Sequence, residues 1–469
     1  MRGTSSGWGP PVTRRRLAAS LVPITAALAA CAGSTGAARE DALSKQPPRS
    51  VPLTIWARNT IDKGIFDKIA PLVEQRFAHL AITTEAVSDI NDKLVVALAG
   101  GTGPDLAVLF MAFFAPMVGK GAFRSLQPFI ARDRATEQEL KSFTPPSLQA
   151  FRAKGDLYAV PITSESIVCW YNEDLLRQYG LTPPHELEDD VQKWTWDTML
   201  DYSQKLNRGR GQDREVFGLS IGEARIQGWG NLVYTNGGRI VSDDGTKLVM
   251  SQPATVEAIQ WAVDTIWKHD VAPQRVTLQT TLNRALFAAG RLAMLIEGEY
   301  FRRYLFGPQS LGGTFKFNLS VIPFSPRTKK RASVYHSLAL GMMQSAKVPD
   351  AAWQYLTVFA TKDAQQLITD GWGSRGGNQK TYESWLKSNA GGGPPANYAA
   401  IVKADATTVP VPLSPYMSEN DLIEPLVRLM PKIYDNALSV RDGLQQIDQE
   451  TNAKLEPAVR AAGSAAAKR

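Results

Sequence analysis

Two glutamates two residues apart, Glu297 and Glu299, stand beside Tyr300 in a chain of 469 residues. Paired carboxylates can hydrolyse a glycoside when they face each other across the bond, about 5–10 Å apart, a span that two residues of one loop can reach. No H-E-x-x-H metalloprotease signature joins them. Four histidines and two cysteines, Cys31 and Cys169, are too few for a histidine-rich or cysteine-rich metal centre. Neither a metal nor a cofactor is expected. Gly371-Trp372-Gly373-Ser374-Arg375-Gly376 spells G-x-G-x-x-G, but it follows a helical pattern, whereas a nucleotide fingerprint follows a strand. The net charge of +7 owes four units to Arg2, Arg14, Arg15 and Arg16 at the start of the chain. No basic stripe interleaved with aromatics is present, so nucleic acid is not an expected partner.

The elements that must position these groups read as alternating strands and helices. Leu53 to Ala57, Leu80 to Glu85 and Asp105 to Phe110 are strand patterns. Phe66, Ile69, Val73 and Phe77 line one face of the helix between the first two, which Pro71 is expected to kink or split. Asn91 to Ala99 is a second helix. Strand, helix, strand, helix, strand predicts an α/β fold with a parallel sheet. Further strands are expected at Tyr158 to Pro161, Ile167 to Tyr171, Phe217 to Ile221, Leu292 to Ile296 and Phe317 to Pro323. Helices are expected from Pro253 to His269, with Trp261 and Trp267 in its core face, from Leu282 to Gly290, and from Val440 to Leu455. With 44% hydrophobic and 21% charged residues the composition is globular, and the length calls for two lobes.

Residues 1–30 read as a signal peptide: Arg14-Arg15-Arg16, then the apolar run Leu17 to Ala30, too short to span a bilayer. Leu28-Ala29-Ala30-Cys31 resembles a bacterial lipobox, which makes Cys31 the lipidated residue, with a flexible tether over 31–50. The expected location is outside the cytoplasm, held on the cell membrane by lipid only.

The order of local signatures resembles the extracellular solute-binding proteins (family 1) of ATP-driven importers. The matching pieces are Leu53-Thr54-Ile55-Trp56, Gly103-Pro104-Asp105, Tyr158-Ala159-Val160-Pro161 with Glu165, and Tyr171-Asn172-Glu173-Asp174-Leu175-Leu176. Thr195-Trp196-Asp197, Asn236-Gly237-Gly238, the run Phe287 to Met294 and Ala352-Trp353 continue the series in order. The resemblance implies a two-lobe fold of the periplasmic-binding-protein type, with an interlobe hinge and a ligand cleft. Lobe 1 would comprise 51–162 and 336–380, lobe 2 163–335 and 381–456, and 457–469 would be a tail. It also implies a monomer that captures a small solute, a carbohydrate above all, and hands it to ABC permease subunits without chemistry.

Sugar recognition needs flat aromatic faces and planar polar groups. Arg58 and Asn59 follow the first strand, and Phe110 ends the third, where open α/β sheets present ligand groups. Gln227 and Trp229 stand among glycines, a setting that suggests an exposed ring. The resemblance adds Asp105, Glu165, Tyr335, Trp372 and Arg375, and puts Tyr300, with Glu297 and Glu299, in the loop that delivers an aromatic to the ligand. His336, a lone histidine, is read as structural. Alternatives are a non-sugar solute such as a phosphodiester, polyamine or peptide, and an extracytoplasmic carbohydrate-active enzyme built on Glu297 and Glu299.

Overall fold

The computed structural model describes residues 51–211, 213–222, 226–302, 305, 315–390, 395–409, 414, 416 and 419–466. Cys31, the signal peptide and the tether lie outside the described residues. Two sheets organise the rest. Their strands are β1 (Val51–Ala57), β2 (Leu80–Ala86), β3 (Leu106–Phe110), β4 (Ala159–Pro161), β5 (Ile167–Asn172), β6 (Phe217–Ser220), β7 (Leu292–Gly298), β8 (Phe317–Ser320) and β9 (Leu338–Met342). One sheet has the order β2-β1-β3-β9-β4 and the other β8-β5-β7-β6. β1 runs parallel to β2 and β3, while β9 is antiparallel to β3 and β4. In the second sheet β6 is parallel to β7, and β5 is antiparallel to β7 and β8.

Patterning explains the layers. β1 alternates, with Leu53, Ile55 and Ala57 buried and Thr54 and Trp56 only partly so, the period of a half-covered strand. Every residue of β5 and β7 is buried, as central strands covered on both faces must be. The helix Thr60–Arg76 opens at Asn59, whose side chain accepts from the Asp62 N–H at 2.9 Å. Pro71 neither ends nor divides it: the residue lies on the exposed side, where water can take the carbonyl it frees.

Each sheet has its own apolar core. The first draws on Leu53 to Ile162 and on Tyr335 to Trp372, the second on Ile167 to Val334 and on Trp385 to Leu455. The chain therefore passes between the two three times, and the three passages lie side by side. Thr163 bridges Gly376, Glu165 bridges His336, and the Ser164 N–H donates to the Arg375 carbonyl at 3.1 Å.

Two expectations are corrected here. The last helix runs from Val440 through Pro457 to Ala466, so 457–466 is helical and not a frayed tail; Val459 still packs on the second core. Trp267 is 41% exposed, its indole N–H donating to the Tyr434 carbonyl at 2.8 Å, because it ends its helix beyond the buried stripe. Among the described residues no helix is long and apolar enough to cross a membrane.

Candidate functional site

In the first sheet the chain winds from β1 to β2 on one side and then to β3 on the other. The carboxyl ends of β1 and β3 thus flank a switch point, where such sheets leave a crevice. Arg58 emerges there from β1. Its Nε and Nη2 donate to the two carboxylate oxygens of Asp62, one helical turn on, at 2.5 and 3.0 Å. Its guanidinium lies between the rings of Phe110 and Trp372, 5.1 and 5.2 Å from their centroids. Asp62 is buried, so Arg58 is held on three sides.

The second sheet presents the carboxyl ends of its parallel pair, β6 and β7. Gly222 follows β6 at φ +65°, a conformation open to glycine at no steric cost. Glu297 stands at the end of β7. Its Oε2 accepts from Arg284 Nε at 2.8 Å, and its Oε1 accepts from the Tyr300 hydroxyl at 2.7 Å. Tyr300 can fold back this way because Gly298 has no side chain: a Cβ there would meet the ring at 2.0 Å. Burial pushes the Tyr300 phenol well above its usual range, and the Glu297 charge adds to the shift, so the hydroxyl stays protonated and donates. The Arg284 guanidinium lies 5.3 Å from the Tyr300 ring centroid.

The passages close the third side. His336 Nδ1 and Glu165 Oε2 are 2.8 Å apart, and the His336 and Tyr300 rings are 5.4 Å apart. A cavity of about 310 Å³ opens between these parts. Arg58, Phe110 and Leu338 line it from one lobe, Gln227, Arg284, Glu297 and Tyr300 from the other, and Glu165 and His336 from the passages. Of the residues singled out in the sequence, Arg58, Phe110, Glu165, Gln227, Glu297 and Tyr300 meet at this cavity.

The others do not reach it. Asn59 caps its helix. Asp105 is buried, with Oδ2 accepting from the Thr54 N–H at 3.0 Å and Oδ1 from the Lys347 N–H at 2.8 Å, and so ties two loops together. Tyr335 and Trp372 are packed in the first core and Trp229 in the second. The glycines beside Trp229 serve the backbone and do not expose the ring: a Cβ on Gly228 would meet the Ile221 carbonyl oxygen at 1.9 Å.

Arg375 and Glu299 are also corrected. Arg375 is buried, with Nε 3.1 Å from Glu299 Oε1 and Nη2 2.8 Å from Asp405 Oδ1. One guanidinium thus serves two carboxylates. Burial pushes the Glu299 carboxyl up to about 8; Arg375 opposes the shift, and the charges of Asp405 and Glu165 add to it. Asp405 is the more exposed of the two carboxylates. Glu297 therefore faces the cavity while Glu299 faces this ion cluster.

Arg284 and Asn283 went unread in the sequence. The available signal was that Arg284 is the only charged residue of Leu282 to Gly290 and sits in the first turn of its helix. His336, read as structural, lines the cavity. Among the described residues no group of three or more His, Cys, Asp or Glu could hold a metal. What the arrangement offers is fixed hydrogen-bond donors and acceptors from two lobes around a small polar space.

Known proteins share this fold. The model of the bacterial extracellular solute-binding protein family matches residues 62–366. The maltotriose-binding protein of Pyrococcus abyssi is 22% identical over 317 residues, 65% of this chain and 62% of its own length. The mannitol-binding protein of Pseudomonas aeruginosa is 24% identical over 338 residues, covering 68% and 71% of the two chains. An ABC substrate-binding protein of Listeria monocytogenes, solved in complex with cycloalternan, superposes with a TM-score of 0.74 at 19% identity, over 87% of this chain and 99% of that one. The sugar-binding protein MalE of Xanthomonas citri gives 0.71 at 16% identity, over 87% and 98%. These likenesses establish the two-lobe α/β fold.

Proposed function

The chain belongs to the bacterial extracellular solute-binding protein family, and from that premise we propose that it is the substrate-binding component of an ABC importer, taking up a carbohydrate between its lobes. The observation that carries this reading is the origin of the cavity lining: Arg58 and Phe110 from one lobe, Arg284, Glu297 and Tyr300 from the other, Glu165 and His336 from the passages. A solute that touches both lobes favours the closed arrangement over the open one by the contacts unique to closure. The protein binds and releases without chemistry. The cavity supplies hydroxyl partners and two aromatic rings, and the relatives named above include binders of maltotriose and mannitol.

The mature chain carries lipid on Cys31, is held by it at the outer face of the cell membrane, and delivers its solute to permease subunits there. Cys31→Ser moves the protein from the membrane fraction to the soluble one. Isothermal titration against a panel of mono- and oligosaccharides and alditols tests the main reading. Binding of at least one of them is expected; a panel without any binder, alongside tight binding of a polyamine or peptide, would end it. A phosphate ester is a second reading, since Arg58 lines the cavity; Arg375 is engaged in the buried cluster.

A further inference from the structure

Resting on that reading, we infer that the cavity selects a neutral polyhydroxylated solute, gripped by one guanidinium from each lobe, and rejects the acidic form of the same ring. The two arginines are built alike. Arg58 has its carboxylate in Asp62 and its aromatic supports in Phe110 and Trp372. Arg284 has its carboxylate in Glu297 and its aromatic support in Tyr300. Both line the cavity.

Asp62 occupies the Nε and Nη2 edge of Arg58. Among the described residues Nη1 takes no hydrogen bond, so the Nη1 and Nη2 edge keeps two N–H groups pointing the same way. Such a fork fits two neighbouring oxygens, as a carboxylate or a pair of vicinal hydroxyls would offer. Charge decides between them. Asp62, Glu165 and Glu297 set three carboxylates against the guanidinium groups of Arg58 and Arg284. Among the described residues even a protonated His336, bonded to Glu165, brings the sum only to zero. An anion finds both arginines already compensated.

Hydrogen-bond chemistry points the same way. The cavity presents guanidinium groups, which only donate, and carboxylate oxygens, which accept. A hydroxyl satisfies both at once. A uronate or phosphate oxygen accepts from an arginine but brings a second acceptor up to Glu297, an arrangement that costs binding.

The test is titration calorimetry on the wild-type mature chain with paired probes: D-glucose, D-glucuronate and glucose 6-phosphate; D-galactose and D-galacturonate; with maltose and D-mannitol as further neutral probes. A neutral member is expected to bind, and its acidic counterpart to bind at least about tenfold more weakly. An acid that matches or outbinds its neutral parent overturns the inference and leaves carbohydrate binding standing. A panel in which no sugar of either charge binds overturns the carbohydrate reading, and the inference falls with it. In a second arm Asp62→Asn, or Glu297→Gln on the other lobe should Asp62→Asn fail to fold, releases one arginine. The gap between acid and neutral probe is expected to narrow. An equal loss for both probes would mean that the carboxylate acts on the fold alone and would overturn the charge argument.

Discussion

The Tyr300 hydroxyl donates to Glu297 Oε1 at 2.7 Å across the intervening Gly298, and the absence of a Cβ at that glycine is what lets the ring fold back. Gly298→Ala therefore forces the ring out of place. The cost in stability is expected to be about 1–3 kcal/mol, as for other overpacked sites. The same change should weaken sugar binding, because the Tyr300 ring leaves the cavity wall and Glu297 loses the hydroxyl as one of its donors. A thermal melt and a titration on one preparation check both.

Arg284→Ala and Trp229→Ala separate binding from folding. Arg284 is expected to contribute a charged hydrogen bond to the ligand worth about 1.5–3 kcal/mol, read as a weaker titration with a near-normal melt. Trp229→Ala empties a core position and is expected to cost about 3–5 kcal/mol. If the tryptophan variant kept its stability and lost its ligand, the ring would belong to the site after all.

Glu299 gives the fold a pH signature. Its carboxyl is raised from 4.5 to about 8 by burial. Between those values the folded protein holds a proton that the unfolded chain has lost. The stabilisation is complete below about pH 4.5 and disappears as pH rises through 8, with a slope approaching about 1.4 kcal/mol per pH unit. Urea melts from pH 5 to 9 should show the decline, and Glu299→Gln should flatten it. An unchanged slope in the variant would place the titration elsewhere.

Asn59→Ala removes the cap of the Thr60–Arg76 helix and is expected to cost about 1 kcal/mol of stability. Because Asn59 does not line the cavity, sugar affinity should stay within about twofold of wild type. A large loss of affinity would show that the cap also sets Arg58.

The parts legible in the sequence were those set by local pattern. Strand ends put Arg58 and Phe110 beside the crevice, since parallel strands point their carboxyl ends at it, and the family resemblance put Glu297 in the loop that reaches it. What local pattern could not convey was which face a residue turns. Glu297 and Glu299 differ by two positions, yet β7 ends between them, so the strand's alternation no longer applies and they face different partners. Trp229 was misread because glycines beside an aromatic look like an open loop, whereas Gly228 lets one helix approach a carbonyl. Arg375 was misread because its partners, Glu299 and Asp405, are distant in sequence. Arg284 escaped notice because one charge at the start of an apolar helix looks like solvation. Pro71 leaves its helix whole because it lies on the exposed side, a placement that its local sequence does not convey.

The two cavity arginines take their counter-ions from their own side of the crevice: Arg58 from the next helical turn, Arg284 from the adjoining strand. Parting the halves breaks neither pair. Each face of the crevice thus keeps one guanidinium matched to a carboxylate of its own half, with or without a guest.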